Sequence, residues 1–375
     1  MRVGLIHWAI PPTTGGVESH VVDLATALAA LGCQVTVLTG ELTPDALQNV
    51  DIHPIPLLNL GMLREAKVSL RELVSRLTAM LESVINERRL QVIHGHNLHH
   101  FVAAPALALD ALWHAGQFSL HHTFHETWPD VLSSSPVYRH WNGNYAVSQF
   151  VQKQCVCHLK FEPQLRPLGI DVTRFHTQRP CMSNSESFVI LHPARLLPWK
   201  GVHVSVDMLA RLRSRAIPAR LIITDTQRIV DWNDELDSYR KRIIKKIRSH
   251  KLQDVIEFRS VPYCDIAQLY EEVDVVVYPT VGEEPYGLVP LEAMSMRRPI
   301  IASRSGGLPE TIVDGVTGFL IERGDSAALA ECVERLFSDR QFAQQLGEAG
   351  RRHVVSKFNG HDYAAQLLEQ YAASI

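Results

Sequence analysis

Short apolar runs alternate with longer stretches of helical period along the whole chain. In the first half, the runs at residues 3–6, 35–38, 92–94, 118–124 and 145–147 have strand length. The intervals between them carry 3.6-residue periodicity, most clearly at 18–31 and 70–86. Residues 181–187, Cys-Met-Ser-Asn-Ser-Glu-Ser, are small, polar and aperiodic, which predicts a linker. Beyond it the alternation resumes, with strands expected at 188–191, 219–223, 255–258, 275–278, 300–303 and 319–321, and a closing helix at 362–373. Strands and helices in turn predict an α/β fold with parallel sheets, here as two doubly wound, Rossmann-like domains. Length agrees, because 375 residues exceed what one hydrophobic core usually organises, and domains of roughly 170 to 190 residues are expected. The expected domains are 1–180 and 188–358, followed by a tail at 359–375. No short internal repeat is visible, so the halves repeat architecture only.

Composition narrows the function classes. A hydrophobic content of 46% supports a substantial core, and a formal charge of -3 leaves no electrostatic footprint for nucleic acid. The basic run at 240–248 places Ile243, Ile244 and Ile247 at helical spacing, which reads as a helix with one buried and one solvated face, with an anionic surface partner as the alternative. Six scattered cysteines suit reduced thiols in a cytoplasmic protein. Cys155-Val-Cys157 is too tight for a zinc knuckle and has no second ligand pair. The first residues read as a strand, not a signal peptide, and no apolar run reaches membrane-spanning length.

Chemistry concentrates at the expected strand ends. Glu284 and Glu292 have seven residues between them, the first on the loop leaving an apolar strand and the second about one turn inside the next helix. In an open α/β sheet the crevice at the strand carboxyl ends holds the ligand, and a helix amino terminus favours phosphate. Two acids there would hold hydroxyls beside a phosphate; a capping role is the alternative. Arg195 and Lys200, in Pro-Ala-Arg-Leu-Leu-Pro-Trp-Lys-Gly, follow the strand at 188–191 and together suit a diphosphate, or else are solvated surface cations. Gly15 and Gly16 bring bare backbone to the start of a helix, for a ligand or simply for a turn. His125 ends the strand at 118–124, and Glu126 and Asp130 beyond it suit acceptor contacts or helix caps. His94, His96, His99, His100, His121 and His122 read for the most part as satisfied polar groups, with an acceptor pocket or a metal as the alternatives.

The order and spacing of Gly15-Gly16, Thr123-Phe124-His125, Tyr145-Ala-Val-Ser148, Gly169-Ile-Asp171, Arg195 with Lys200-Gly201, Glu284 through Glu292 and Gly306-Gly307-Leu-Pro-Glu310 resemble the retaining glycosyltransferases of family 4 over nearly the whole chain. The resemblance implies a GT-B fold, with an acceptor-binding first domain and a nucleotide-sugar-binding second domain facing across a cleft. It also implies that the tail at 359–375 returns to the first domain. It assigns the donor diphosphate to Arg195, Lys200, Gly16 and the amides of Gly287 and Leu288, the ribose to Glu292, and the transferred sugar to Glu284 and His125, with Gly15, Glu126 and Asp130 left for the acceptor. No cofactor is expected, and no metal, since no Asp-x-Asp motif stands in a suitable place.

The chain departs from the family pattern at Thr224-Asp-Thr-Gln227, where a glycine-rich turn is common, and at Ser260. Residues 121–130 and 224–236 look like the branch that glycosylates aminocyclitols in aminoglycoside antibiotic pathways. That branch implies a UDP-sugar donor such as UDP-N-acetylglucosamine and a cationic small acceptor. Two competing readings are a nucleotide-sugar epimerase of the same architecture and a non-catalytic sugar-nucleotide-binding subunit.

Overall fold

The computed structural model describes residues 1–41, 49–65, 68–116, 118–127, 136–179, 187–225 and 236–375. These fall into two compact units, Met1–Gly169 with Gly360–Ile375, and Ile170–Asn359.

The first unit is built on seven parallel strands, β1 (Arg2–His7), β2 (Gln34–Thr39), β3 (Val50–Pro54), β4 (Val92–His96), β5 (Ser119–Phe124), β6 (Gly143–Ala146) and β7 (Gln164–Leu165). They lie in the order β3-β2-β1-β4-β5-β6-β7. The central strands β4 and β5 are buried along their whole length, as strands covered by helices on both faces must be. The edge strands β3, Val-Asp-Ile-His-Pro, and β7, two residues long, are half-buried or exposed and lack an apolar run, which is why the hydrophobic pattern did not predict them. The chain runs outward from β1 to β3 and then starts again on the other side of β1 with β4. The sheet's topological switch point therefore lies between β1 and β4, where ligands of such sheets sit.

The last helix, Gly360–Ser374, belongs to the first unit. It buries Tyr363, Ala364, Leu367 and Tyr371, one stripe at helical spacing. Its Tyr371 hydroxyl lies 2.5 Å from His94 Nδ1, and Ser374 Oγ lies 3.1 Å from His121 Nε2.

The second unit holds six parallel strands, β8 (Phe188–His192), β9 (Ala219–Thr224), β10 (Ile256–Arg259), β11 (Val275–Tyr278), β12 (Ile300–Ser303) and β13 (Phe319–Ile321). Their order is β10-β9-β8-β11-β12-β13, so the switch point here lies between β8 and β11. The helix Leu236–Ser249 carries the basic run and buries Tyr239, Ile243 and Ile247 while its cations point outward, with Lys246 Nζ 2.8 Å from Asp207 Oδ2.

The division between units falls after Gly169, earlier than the expected domain end at residue 180. Residues 170–179 are tied to the second unit. The Ile170 amide donates to Phe358 O at 2.9 Å, Arg351 Nη1 donates to Val172 O and Phe175 O, and Ser295 Oγ donates to Phe175 O at 2.7 Å. Of the expected linker at 181–187, only Ser187 is among the described residues.

Candidate functional site

In the second unit the residues after β8 and β11 converge on the switch point. Lys200 closes the short 3-10 turn Pro198–Lys200 that follows β8, and Gly201 turns the chain into the helix Val202–Ser214. Gly201 has φ +77°, and a Cβ there would stand 1.9 Å from Pro279 O. Only glycine fits a positive φ with backbone that close, so the loop after β8 is pressed against the loop after β11. This contact brings Lys200 Nζ to 2.6 Å from Glu284 Oε2, with both side chains buried.

Tyr278, the last residue of β11, completes a triangle. Its hydroxyl donates to Glu284 Oε2 at 2.8 Å and accepts from Lys200 Nζ at 2.5 Å. Burial, followed by the charge of Glu284, pushes the Tyr278 phenol far above its ordinary pKa, so it stays a neutral donor. The ammonium also lies 3.9 Å from the Trp199 ring centroid. Arg195, half-buried after β8, is close enough for its charge to be felt at Tyr278, and its guanidinium makes no hydrogen bond to a described residue.

The loop carrying Glu284 is held from behind. The Glu284 amide donates to Ser305 Oγ at 3.1 Å, Ser305 Oγ donates to Gly282 O, and the Gly307 amide donates to Glu284 O at 2.8 Å. Gly306, at φ +51°, would put a Cβ 2.0 Å from that same carbonyl. Gly287 then opens the helix Leu288–Ser295 with no side chain capping it, leaving the first-turn amides to whatever lies beyond. Glu292 sits in this helix and accepts from the Tyr270 hydroxyl at 2.7 Å. Thus Arg195, Lys200, Glu284, Gly287, Leu288 and Glu292 gather about the β8 and β11 ends. Asp225, in the turn where the chain departs from the family pattern, pairs with Arg240.

The first unit places its candidates around its own switch point. Gly15 is the extended residue before the helix Gly16–Ala30, and a Cβ on it would strike the Glu18 carboxylate at 1.9 Å. Glu18 is itself buried in the first turn, 3.6 Å from His7 Nε2 at the end of β1. His125 follows β5 and is buried, with its amide donating to Asn97 Oδ1 at 2.8 Å and its Nε2 3.0 Å from His96 Nδ1. Glu126 is held by its neighbours, with Asn97 Nδ2 donating to it, His99 Nε2 on its carbonyl at 2.8 Å and His100 Nε2 3.6 Å from its carboxylate. Asp130 lies outside the described residues.

The buried histidines are only in part the satisfied groups the sequence suggested. His94 bonds Tyr371 and Thr123, and His121 bonds Tyr145 and Ser374. By contrast Nε2 of His7, His20 and His96 has no hydrogen-bond partner. Burial is the main cause that drives the His20 pKa down to about 3, and it holds His96 and His125 well below the ordinary imidazole value, so these rings are neutral. Cys155 and Cys157 point to opposite faces of their helix, one buried and one exposed, and form no ligand pair.

Four residues of these two sites escaped the sequence reading. Tyr278 had a signal, a hydroxyl-bearing aromatic closing an all-valine strand toward the expected crevice. Glu18 and His20 had a weaker one, polar groups in the first turns after a glycine pair. Tyr270 had none, because its helix reaches Glu292 only through the tertiary fold.

Two family models match the chain one after the other. One, described as Glycosyltransferase Family 4, covers residues 14–174, and the other, Glycosyl transferases group 1, covers residues 177–353. The chain belongs to the GT-B glycosyltransferases. Among curated relatives, the glycogen synthase of Mycobacterium tuberculosis is 27% identical over all of this chain and 95% of its own length. The D-inositol 3-phosphate glycosyltransferase of Arthrobacter sp. (strain FB24) is 27% identical over 96% of this chain and 90% of its own length. Among solved structures, Anabaena Alr3699/HepE in complex with UDP-glucose superposes with a TM-score of 0.79 at 20% identity, covering the whole of both chains. This glycosyltransferase therefore shares its fold with enzymes of differing substrates, and the site itself must carry any finer reading. Among the described residues, no helix is long and apolar enough to cross a membrane.

Proposed function

We propose that this glycosyltransferase moves a sugar from a nucleoside diphosphate donor, UDP by preference, to a hydroxyl of a small cyclitol-type acceptor, with retention at the anomeric carbon. The observation that carries the donor half is the buried Lys200–Glu284–Tyr278 triangle at the β8/β11 switch point, beside Arg195, whose guanidinium bonds no described residue, and a helix start with no side-chain cap. Breaking the sugar–phosphate bond builds negative charge on the leaving diphosphate. Lys200, Arg195 and the amides around Gly287 and Leu288 supply fixed positive charge and donors for it, in the manner that gives preorganised sites most of their effect, and without a divalent cation on the phosphates. Gly16 is assigned to the same phosphates from the first unit's glycine pair.

Glu284 takes a hydroxyl of the transferred sugar, His125 another, and Glu292 the ribose hydroxyls. The acceptor oxygen attacks the anomeric carbon from the leaving-group face as the bond to phosphate breaks, and its proton passes to the departing phosphate oxygen. No protein nucleophile is needed. UDP is favoured because the solved neighbour HepE binds UDP-glucose, and N-acetylglucosamine is the sugar the aminocyclitol resemblance suggests. A cyclitol acceptor draws support from the relatives named for D-inositol 3-phosphate, and an amino substituent on it follows from the resemblance at 121–130. Gly15, Glu126 and Asp130 would meet that acceptor.

The test is calorimetric binding of UDP-, GDP- and ADP-sugars to the enzyme and to Arg195→Gln, a half-buried change that leaves the ion pair intact, followed by turnover with inositol, inositol phosphate and aminocyclitols. One base binding with Kd raised at least tenfold in Arg195→Gln, and an α-linked product from an α-linked donor, are the expected results. Conversion of the donor with no acceptor present would make the chain an epimerase. Binding without turnover on any acceptor would support a non-catalytic role.

A further inference from the structure

The fold engages only one of the two carboxylate oxygens of Glu284. Oε2 accepts from Lys200 Nζ at 2.6 Å and from the Tyr278 hydroxyl at 2.8 Å, which occupies both of its lone pairs. Oε1 makes no hydrogen bond to a described residue and is not among the sealed, unpartnered polar atoms of the interior, so it opens to the crevice. Glutamate does not dictate this asymmetry by itself. The last torsion of its side chain is broad and two-fold, and a single donor would let the two oxygens trade places.

Two donors from separate elements prevent that exchange. Lys200 arrives on the turn after β8 and Tyr278 closes β11, and the two also bond each other, Nζ to hydroxyl at 2.5 Å. Of the pair, the phenol is the dedicated one. Lys200 ends a flexible stem and is assigned to the diphosphate as well, whereas the Tyr278 ring is buried in its strand. The main chain of Glu284 is already held, its amide by Ser305 Oγ and its carbonyl by the Gly307 amide. What the Tyr278 hydroxyl adds is the plane of the carboxylate.

We propose that Tyr278 is a positioning residue that fixes Glu284 so that Oε1 alone meets the transferred sugar, making the site selective for a sugar with a hydrogen-bond donor at that position. This inference rests on the donor reading above. An ionised carboxylate only accepts, so a hydroxyl or an amide N–H satisfies Oε1, while a methylene at that position leaves it unpaired. A site built to bond a hydroxyl rejects the analogue lacking it far more strongly than an apolar pocket rejects a missing methylene.

The experiment is calorimetric binding of UDP, UDP-N-acetylglucosamine, UDP-glucose and the monodeoxy analogues of both sugars to the full chain. At least one analogue should bind the wild-type chain about tenfold or more weakly than its parent, the loss expected for a hydrogen bond to a charged group. Tyr278→Phe keeps the ring and removes the hydroxyl. It should raise the Kd of the parent nucleotide sugar about tenfold and that of UDP alone less than about threefold, and the discrimination against the sensitive analogue should shrink. In a Glu284→Gln background the same change should add less than about twofold, because it acts through the carboxylate. A purely structural role would weaken UDP and UDP-sugar alike, and in both backgrounds; that result would overturn the proposal. So would equal binding of every analogue by the wild-type chain, a measurement independent of any variant's folding. No binding of either nucleotide sugar by the wild-type chain would overturn the donor reading and this inference with it, whereas wild-type binding that Tyr278→Phe leaves unchanged would overturn this inference alone.

Discussion

The two units present the same topology at their switch points and fill it with opposite chemistry. Between β8 and β11 the crevice holds charges that satisfy one another, Lys200 against Glu284 and Tyr278, with Arg195 alongside. Between β1 and β4 it holds neutral imidazoles, several with a nitrogen left over. A parallel sheet dictates where a ligand goes, and the residues at that place dictate what it is. The charged crevice suits an anion, because Lys200 is fixed by a buried network before the ligand arrives and Arg195 stands beside it. The neutral crevice suits an uncharged polar group such as a hydroxyl, to which a neutral imidazole can donate or from which it can accept.

Acid should separate the units most. His20 titrates near 3 when folded and near 6.5 when unfolded, so above about pH 6.5 both states are neutral and the full stability is present. Below that, the unfolded chain takes up protons that the folded one refuses, and stability is lost progressively toward the folded pKa. Each such ring contributes a slope of up to about 1.4 kcal/mol per pH unit, and the first unit has at least seven with depressed values: His20, His94, His96, His99, His121, His122 and His125. Two of these titrating together already give roughly 3 kcal/mol per unit. The second unit has His192, lowered to about 3, and the half-buried His203 and His353, each lowered chiefly by burial. Hydrogen exchange between pH 7.5 and 5 should show β4 and β5 losing protection before β8 and β11. Simultaneous loss in both units would end the contrast.

Removing one partner of the charged network is the next largest effect. Lys200→Ala strands a buried carboxylate and should cost about 3–5 kcal/mol, whereas the paired change Lys200→Met with Glu284→Leu should recover most of it. Chemical denaturation of the two variants tests this, and a double variant as unstable as the single one would mean that packing, not charge, holds the loops. Turnover should fall in both by at least the hundredfold to thousandfold seen when a preorganised donor is lost. A smaller loss of stability, about 1–3 kcal/mol, is expected for Gly306→Ala, since its Cβ would meet the Glu284 carbonyl at a positive φ. A thermal scan showing no shift would mean that this loop relaxes freely.

The sequence carried the frame of this comparison further than its content. Strands rich in valine and isoleucine, such as β11 and β12, stand where apolar runs predicted them, because full burial on both faces leaves an unbroken hydrophobic signature. The edge strands β3 and β7 left none. The placement of Arg195, Lys200 and Glu284 was legible because each lies on the loop after an apolar strand, and that of Glu292 because it lies early in the helix that follows. The triangle with Tyr278 and the packing of His20 against His96 and His125 were not, since both depend on loops and helices that are distant in sequence and meet only in the fold. The unit boundary at Gly169 was hidden for the same reason, as residues 170–179 are held by Arg351 and Ser295 from far along the chain.

The smallest expected effect concerns Tyr270. Its hydroxyl donates to Glu292 at 2.7 Å, and burial together with that carboxylate keeps the phenol protonated. If the charged crevice works by presenting fixed partners to the donor, then Tyr270 acts by holding Glu292 in the rotamer proposed to meet the ribose, without touching the ligand itself. Tyr270→Phe deletes one hydrogen bond to a carboxylate and keeps the ring, so the fold should lose only about 1–2 kcal/mol. The loss should appear in donor binding, as a KM raised about tenfold with kcat nearly unchanged, because ground state and transition state use the ribose contact alike. A fall in kcat at unchanged KM would show that Tyr270 supports the Lys200–Glu284 network instead, and that the two acids of this crevice act as one group.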